Sequence, residues 1–143
     1  MFKKEFNVTQ SYTLSNKEKK DILKKLRNLD NGIFIDYIQS NFSPMTMEKT
    51  SLNKMRILRY ENNPIFFEYL ENQFLPTIYL LNTFPCLIKK ICLIYDETDS
   101  YLENGADLML KGVLNRAELK KTSFHLNEVF AVLTTNGYIK LLI

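Results

Sequence analysis

Apolar residues recur every three or four positions between residues 15 and 30, which predicts a helix in this segment. Ser15-Asn16-Lys17-Glu18 has the spacing of a capping box, in which the serine and glutamate side chains satisfy backbone N–H groups at the helix start. The helix is expected to reach about Asp30 and to end at Asn31-Gly32. Its apolar side consists of Ile22, Leu23, Leu26 and Leu29.

A second helix is predicted from Ile33 to Phe42, because apolar side chains again recur at helical spacing there. Ser43-Pro44 breaks this helix, since proline disfavours helical backbone in the residue before it. Two non-helical segments are expected around the helices: a short strand at residues 2–8 and a polar loop at residues 43–54.

Residues 55–69 carry a hairpin signal, because β-branched and aromatic residues stand on both sides of the turn cluster Glu61-Asn62-Asn63-Pro64. A third helix is predicted from Pro76 to Phe84, with Pro76 in the first turn, where its missing N–H is not needed. Pro85 is expected to end this helix.

An almost continuous apolar stretch from Cys86 to Tyr95 predicts a buried strand. Asp96 is expected to cap a short helix that runs through Glu103. Gly105 then turns the chain into a further predicted strand, from Ala106 to Leu114.

Residues 115–123 are polar, and the chain closes on a predicted hairpin. Its strands, Val129–Thr134 and Tyr138–Ile143, flank Thr135-Asn136-Gly137, and Asn-Gly is a strong signal for a tight turn. Helices and hairpins thus come first and a strand-rich end follows, with a boundary near residues 85–92. This order predicts an α+β fold.

Composition and charge restrict the function only weakly. The 143 residues suffice for one good domain or two small ones, and the net charge of +3 permits contact with nucleic acid without demanding it. No apolar run approaches the ~18 residues that span a membrane, and the opening Met1–Glu5 is too polar for a signal peptide. A cytoplasmic protein without membrane contact is expected.

The two cysteines, Cys86 and Cys92, have a spacing that suits neither a zinc knuckle nor a redox pair. They are interpreted as two buried small hydrophobic residues, and free thiols favour a reducing compartment.

Catalytic motifs are missing from the sequence. His125 is the single histidine and has no nucleophile or acid near it in a motif context, so it is interpreted as a surface residue. The acidic cluster Asp96, Glu97 and Asp99 suits a magnesium ion, but stabilisation of a helix N-terminus explains it more simply. We therefore expect no enzymatic activity, no cofactor and no metal.

Two basic sets are candidates for RNA contact, because lysine and arginine neutralise phosphates. The first lies opposite the apolar side of the first helix and consists of Lys17, Lys20, Lys24 and Arg27. The second lies around a glycine and consists of Lys111, Arg116, Lys120 and Lys121. The alternative for the first set is an ordinary solvated helix face, and for the second a solvated loop.

Three motifs connect the sequence to a known family. They are Asn63-Pro64-Ile65-Phe66-Phe67-Glu68, Pro76-Thr77-x-Tyr79-x-Leu81-x-x-x-Pro85 and Gly105-Ala106-Asp107-Leu108-Met109-Leu110-x-Gly112. With them the chain resembles the N-terminal half of the ligatin family, also called eukaryotic translation initiation factor 2D. Its opening Met1-Phe2-Lys3-Lys4 is similar to that of the related oncoprotein named for multiple copies in T-cell lymphoma.

The third motif resembles the signature of the PUA domain, an RNA-binding pseudobarrel. The resemblance implies a pre-PUA domain at residues 1–90, with helices packed on a small antiparallel sheet, and a partial PUA-type β pseudobarrel at residues 91–143. Gly105 and Ala106 would let the backbone approach RNA closely. Lys111, beside Gly112, would add positive charge at that edge.

The same resemblance implies partners and a role. In that family this half binds the small ribosomal subunit through ribosomal RNA, and the whole factor acts in unconventional initiation, reinitiation and recycling without hydrolysing GTP. A further implied partner is tRNA, together with a C-terminal half or partner protein that carries a domain of the type found in start-codon-selecting factors.

The chain departs from the family pattern in three places. Lys111 stands where the family usually has proline, which either loosens the loop or adds a phosphate contact. The hairpin at residues 55–69 looks shorter than the family's by about one strand. A PUA barrel should also need one or two strands beyond Ile143, so the barrel is expected to be incomplete in a fragment or a truncated form.

Two other functions fit the same residues. One is an RNA-binding accessory module of a tRNA or rRNA modification system, since PUA domains also serve such enzymes. The other is a protein-interaction scaffold without RNA contact.

Overall fold

The computed structural model describes residues 5–27, 33–40, 44–52, 55–71, 73–88, 90–121, 123, 125, 128–137 and 139–142. They fall into two compact units, the first within Lys4–Leu87 and the second within Ile88–Ile143. Several predicted features lie outside the described residues: the first four residues, Leu29, the helix end at Asn31-Gly32, Phe42, Tyr138 and Ile143.

The first unit is built on a five-stranded antiparallel sheet in which the strands follow in chain order. Its strands are β1 (Val8–Thr13), β2 (Met45–Thr50), β3 (Arg56–Tyr60), β4 (Asn63–Leu70) and β5 (Gln73–Pro76). The predicted hairpin at residues 55–69 is confirmed as β3 and β4. Its turn residues Glu61 and Asn62 both have positive φ, 50° and 64°, as the two-residue turn that matches strand twist requires.

Two predictions for this sheet are wrong. Residues 43–54 are not a loop but contain β2, which pairs with both β1 and β3. Met45 and Met47 are buried at alternate positions, and methionine gives a weak strand signal. Of the strand predicted at residues 2–8, the described residues 5–7 are not in a strand, and β1 begins at Val8 and runs through a polar, mostly exposed segment.

The described residues of the first unit form the helices α1 (Asn16–Leu26), α2 (Ile33–Ser40) and α3 (Ile78–Thr83). The capping box of α1 is confirmed, because the N–H of Glu18 donates to Ser15 Oγ (3.3 Å) and the N–H of Ser15 donates to Glu18 Oε2 (2.9 Å). Helix α1 ends at Leu26 rather than near Asp30.

The start of α3 differs from the prediction. Pro76 ends β5 instead of opening the helix, and Thr77 is the N-cap. Its hydroxyl oxygen accepts from the N–H of Leu80 (3.2 Å) and donates to the carbonyl of Pro64 (2.7 Å). Thr77 therefore begins the helix in place of the expected Pro76, and its hydroxyl also connects the helix to β4. After the helix, Pro85 begins a 3₁₀ turn, Pro85–Leu87.

Aromatic rings connect the helices of the first unit to its sheet. Phe34 on α2 meets Phe66 on β4 edge to face, with ring centroids 5.8 Å apart, and Phe84 at 5.2 Å. Phe66 also contacts Phe74 on β5 at 6.4 Å. Phe34 and Phe66 are fully buried, so this cluster lies in the core.

The second unit has a mixed three-stranded sheet in the order β6, β7, β8. Its elements are β6 (Ile91–Leu93), α4 (Asp96–Glu103), a 3₁₀ turn (Leu110–Gly112), α5 (Arg116–Leu119), β7 (Ala131–Leu133) and β8 (Ile139–Leu142). Strands β6 and β7 are parallel, whereas β7 and β8 are antiparallel. The predicted helix through Glu103 and the hairpin around Gly137 are confirmed.

Two predicted strands of this unit are corrected. Of Cys86–Tyr95, only Ile91–Leu93 forms a strand, and Cys86 is exposed in the preceding 3₁₀ turn. Cys92 is buried as predicted, and its burial raises the pKa of the thiol. Ala106–Leu114 is not a strand either, because it contains the 3₁₀ turn and makes only a single bridge, between Val113 and Ile94.

A side chain occupies the place of the missing strand along the outer edge of β6. The amide nitrogen of Asn115 donates to the carbonyl of Ile91 (2.9 Å), and its oxygen accepts from the N–H of Leu93 (2.9 Å). One asparagine thereby satisfies two edge groups that a neighbouring strand would otherwise pair. The core beneath consists of Cys92, Ile94, Val113, Leu119, Phe130 and Val132.

Candidate nucleic-acid interface

An open groove with a volume of about 640 Å³ lies in the second unit, between α4 and the segment that follows it. Its lining residues are Tyr95, Glu97, Thr98, Tyr101, Ala106, Asp107, Met109, Lys111 and Gly112. The groove therefore contains the glycine-rich motif of the sequence together with the side chains of an acidic helix.

The end of α4 directs the chain back along the groove. Gly105 has φ +83°, a left-handed backbone that glycine adopts without steric cost. Its N–H donates to the carbonyl of Leu102 (2.9 Å), and the N–H of Ala106 donates to the carbonyl of Tyr101 (3.0 Å). These bonds close the helix and start the return segment that forms the second wall.

Gly112 attaches this second wall to the start of α4. Its carbonyl accepts from the N–H of Tyr95 (3.2 Å) and from Thr98 Oγ1 (3.3 Å). A Cβ at this position would lie 2.8 Å from Thr98 Cγ2, too close for any other residue without movement. Close approach thus favours glycine here, because any other residue would displace the Thr98 side chain.

Large apolar side chains stand exposed in this groove. Tyr101 is 66% exposed, Met109 is 63% exposed and Tyr95 is 43% exposed. Aromatic faces in such positions can stack on bases, and the exposed ammonium of Lys111 can bind a phosphate. Glu97 and Asp107 add two exposed carboxylates, which accept hydrogen bonds.

The second predicted basic set is only partly assembled in the groove. Lys111 lines it, with Ala106 and Gly112, and Gly105 shapes its end. Arg116 lies on α5, and Lys120 and Lys121 follow that helix; all three are exposed and none lines the groove.

The first basic set lies in the first unit. Lys17, Lys20 and Lys24 are exposed on α1, and Arg27 is exposed just after it. The guanidinium of Arg27 lies 3.9 Å from the carboxylate of Asp36 on α2. The two sets therefore belong to different compact units.

Sequence reasoning missed the aromatic part of the site. Tyr95 and Tyr101 carry no signal in the sequence, because an exposed tyrosine in an acidic helix has no signature of its own, and neither does Thr98. Asp107 and Met109 belong to the third motif, but the motif does not indicate that they line a groove. The usable signal was the high aromatic content, 13% of residues, without any tryptophan.

The acidic cluster lies in the first turn of α4, as predicted, but Asp96 does not cap the helix. Tyr95 is the N-cap of α4 and makes no side-chain cap bond, so Asp96 is not the cap. Its carboxylate instead accepts from the hydroxyl of Thr135 (2.6 Å). Asp96, Glu97 and Asp99 all stand in the first turn, where negative charge stabilises a helix.

The backbone N–H of His125 donates a hydrogen bond to the carboxylate of Glu128 (3.0 Å). A hydrogen bond from Lys90, 2.6 Å away, lowers the pKa of Glu128, and the His125 N–H adds to the effect.

Across the described part of the chain, no three His, Cys, Asp or Glu side chains come together as a metal site would need. No described helix is long and apolar enough to cross a bilayer.

Solved structures with a similar fold come from archaea. A PUA domain from Aeropyrum pernix K1, solved as a tartrate complex, is 21% identical over 96% of this chain and 72% of its own, with a TM-score of 0.66. A conserved PUA domain protein from Thermoplasma acidophilum is 16% identical over 93% of this chain and 78% of its own, with a TM-score of 0.61.

A hypothetical protein from the hyperthermophilic archaeon Pyrococcus horikoshii OT3 is 16% identical over 93% of this chain and 80% of its own, with a TM-score of 0.66. At these identities the likeness concerns the fold, and it confirms the predicted α+β class. No curated protein matches the sequence.

The sequence itself matches a family model, described as a pre-PUA-like domain, over residues 2–85. That segment is more than half of the chain and contains all five strands of the first unit's sheet. The chain therefore belongs to the pre-PUA-like domain family.

Proposed function

We propose that this chain is a non-enzymatic RNA-binding module and that RNA binds in the groove of its second unit. The observation that carries the proposal is the presence of exposed Tyr101, Met109 and Lys111 in one groove. Stacking of a base on an aromatic ring contributes roughly 1–3 kcal/mol, and a lysine adds a phosphate contact. The lining side chains suit binding and not bond breaking.

Single-stranded RNA suits this groove better than a duplex. Proteins that read single strands stack splayed bases on aromatic side chains, whereas an A-form helix offers mainly its backbone and 2′-hydroxyls. Tyr101 and Met109 offer apolar surface, and only Lys111 among the lining residues carries positive charge. The RNA therefore enters with one or two bases unstacked.

We further propose that the RNA is ribosomal RNA of the small subunit, in a ligatin-like translation factor that works in initiation, reinitiation or recycling. The three motifs that resemble the ligatin family and the pre-PUA-like domain support this role. The exposed basic residues of α1 would add electrostatic contacts at a second surface. Such a protein works in the cytosol, and in this proposal tRNA bound to the subunit is a further contact.

Co-sedimentation of the full chain with small ribosomal subunits, across a salt series, tests this function. We expect saturable binding whose affinity falls steeply with salt, because phosphate contacts release counterions. Tyr101→Ala should weaken binding about tenfold, and Lys111→Glu should also lower the salt dependence by about one contact. Tyr79→Ala and Lys49→Glu, exposed residues outside the groove and outside both basic sets, are the matched controls.

Binding that is absent at low salt would contradict the proposed module. Equal losses of affinity in the groove variants and in the controls would indicate that RNA binds outside the groove. Reversal of Lys17, Lys20 and Lys24 to glutamate should weaken binding through charge alone and leave the effect of Tyr101→Ala intact. Crosslinking to a free tRNA or guide RNA in place of ribosomal RNA would favour a module of an RNA-modification system.

A further inference from the structure

The charges of the groove do not match an ordinary phosphate-binding surface. Its lining carries two carboxylates, Glu97 and Asp107, against the single ammonium of Lys111. A ribose-phosphate chain that ran along the whole groove would meet net negative charge and be repelled. The carboxylates therefore suit a part of the ligand that donates hydrogen bonds. In RNA the ribose 2′-hydroxyl offers one donor, whereas a base edge can offer two side by side.

The two carboxylates are also available for a ligand. Among the described residues, no hydrogen bond or ion pair engages the side chain of Glu97 or Asp107. The neighbouring Asp96 is different, because its carboxylate accepts from Thr135. An ionised carboxylate only accepts, and its two oxygens can receive two parallel N–H groups.

Base chemistry distinguishes among the four possible partners. Guanine presents two adjacent donors on its Watson–Crick edge, the N1–H and the 2-amino group. Adenine and cytosine place an amino group beside a ring nitrogen that accepts, and uracil places its single N–H between two carbonyls. Only guanine therefore offers a carboxylate two donors side by side without an opposing lone pair.

Resting on the proposed function, we infer that the groove selects guanine: Tyr101 stacks on the purine, and Asp107 or Glu97 accepts hydrogen bonds from its N1–H and 2-amino group. Lys111, in the same lining, then binds a phosphate of the same strand. A bidentate contact of this kind discriminates about tenfold or more against a base that cannot make it.

Fluorescence anisotropy with short labelled RNAs tests this selectivity on the full chain. The probes are uridine heptamers with one central guanosine, inosine or adenosine; inosine retains the N1–H and lacks only the 2-amino group. We expect the guanosine probe to bind about tenfold tighter than the other two. The double variant Glu97→Gln, Asp107→Asn should bind all three alike, because an amide replaces one acceptor by a donor.

The double variant Glu103→Gln, Glu118→Gln, at exposed positions of the same unit outside the groove lining, controls for the loss of two negative charges. Equal affinity of the wild-type chain for all three probes, with Tyr101→Ala still weakening each, would overturn the guanine inference and leave the proposed function standing. No binding of any RNA, together with carboxylate-dependent binding of a short arginine peptide, would overturn both and assign the groove to a protein partner.

Discussion

The two units obtain their structure in different ways. The first has five antiparallel strands and an aromatic cluster that is fully buried at Phe34 and Phe66. The second has three strands of three or four residues and depends on hydrogen bonds from single side chains. Asn115 bonds the outer edge of β6, and Thr98 bonds the carbonyl of Gly112. Its most exposed large apolar residues, Tyr101, Met109 and Leu110, lie in or beside the groove. Regular pairing thus serves stability in one unit, and irregular backbone shapes the groove in the other.

The largest effect is expected from Phe66→Ala in the first unit. Phe66 is completely buried and meets the rings of Phe34 and Phe74, so its loss removes burial and leaves a cavity. The free energy of unfolding should fall by about 3–5 kcal/mol. Urea denaturation followed by far-UV circular dichroism measures it. Tyr69→Ala, at an exposed position of the same strand, should cost less than 1 kcal/mol; a similar loss in both variants would contradict the contrast between core and surface.

Gly112→Ala should lower the free energy of unfolding of the second unit by about 1–3 kcal/mol, because the new Cβ meets Thr98. It should also weaken RNA binding, since the wall that holds Lys111 must move. Adding Thr98→Ala removes the clashing atoms, so the double variant should recover part of the stability. Hydrogen exchange at residues 109–113 and the anisotropy assay report the two effects. Additive losses in the double variant would show that the contact between the two residues is not what requires glycine.

Ser15→Ala should have the smallest effect, about 1 kcal/mol at neutral pH, through loss of the α1 N-cap. The hydrogen bond from Ser15 is also the main reason that the pKa of Glu18 lies below its ordinary value of 4.5. A lowered folded-state pKa stabilises above the unfolded value and loses that contribution as the pH falls through the folded value. The difference between wild type and variant should therefore shrink below about pH 4.5 in thermal denaturation. Ser11→Ala, on an exposed strand, should show no such pH dependence.

Local signals in the sequence predicted what they govern directly. The capping box at Ser15 and the Asn136-Gly137 turn involve residues within four positions of each other, and both are present. Strand β2 was missed because its identity depends on partners far along the chain, and Met45 and Met47 show only a short alternation. The apolar run that ends at Leu114 predicts a strand, but the edge of β6 is bonded by the side chain of Asn115 instead. Hydrophobic periodicity does not reveal a contact of this kind.

The site was predictable only to the extent that the motif contains it. Lys111 and Gly112 were identified from their letters, whereas Tyr101 enters the groove because α4 ends at Glu103 and the chain turns back at Gly105. That arrangement arises from tertiary hydrogen bonds to the carbonyl of Gly112, which no spacing in the sequence encodes.

The parallel pairing of β6 with β7 has a consequence for how the protein is made. Ile91 pairs with Ala131, 40 positions further along, whereas β2 to β5 are joined by short connections in chain order. Contacts between distant residues form slowly because a long loop must close first. During synthesis the sheet of the first unit can form while the second is still being translated, and β6 remains without its parallel partner until residues 131–133 emerge. A nascent chain would therefore be able to complete the sheet of its first unit before the sheet of its second unit can begin to pair.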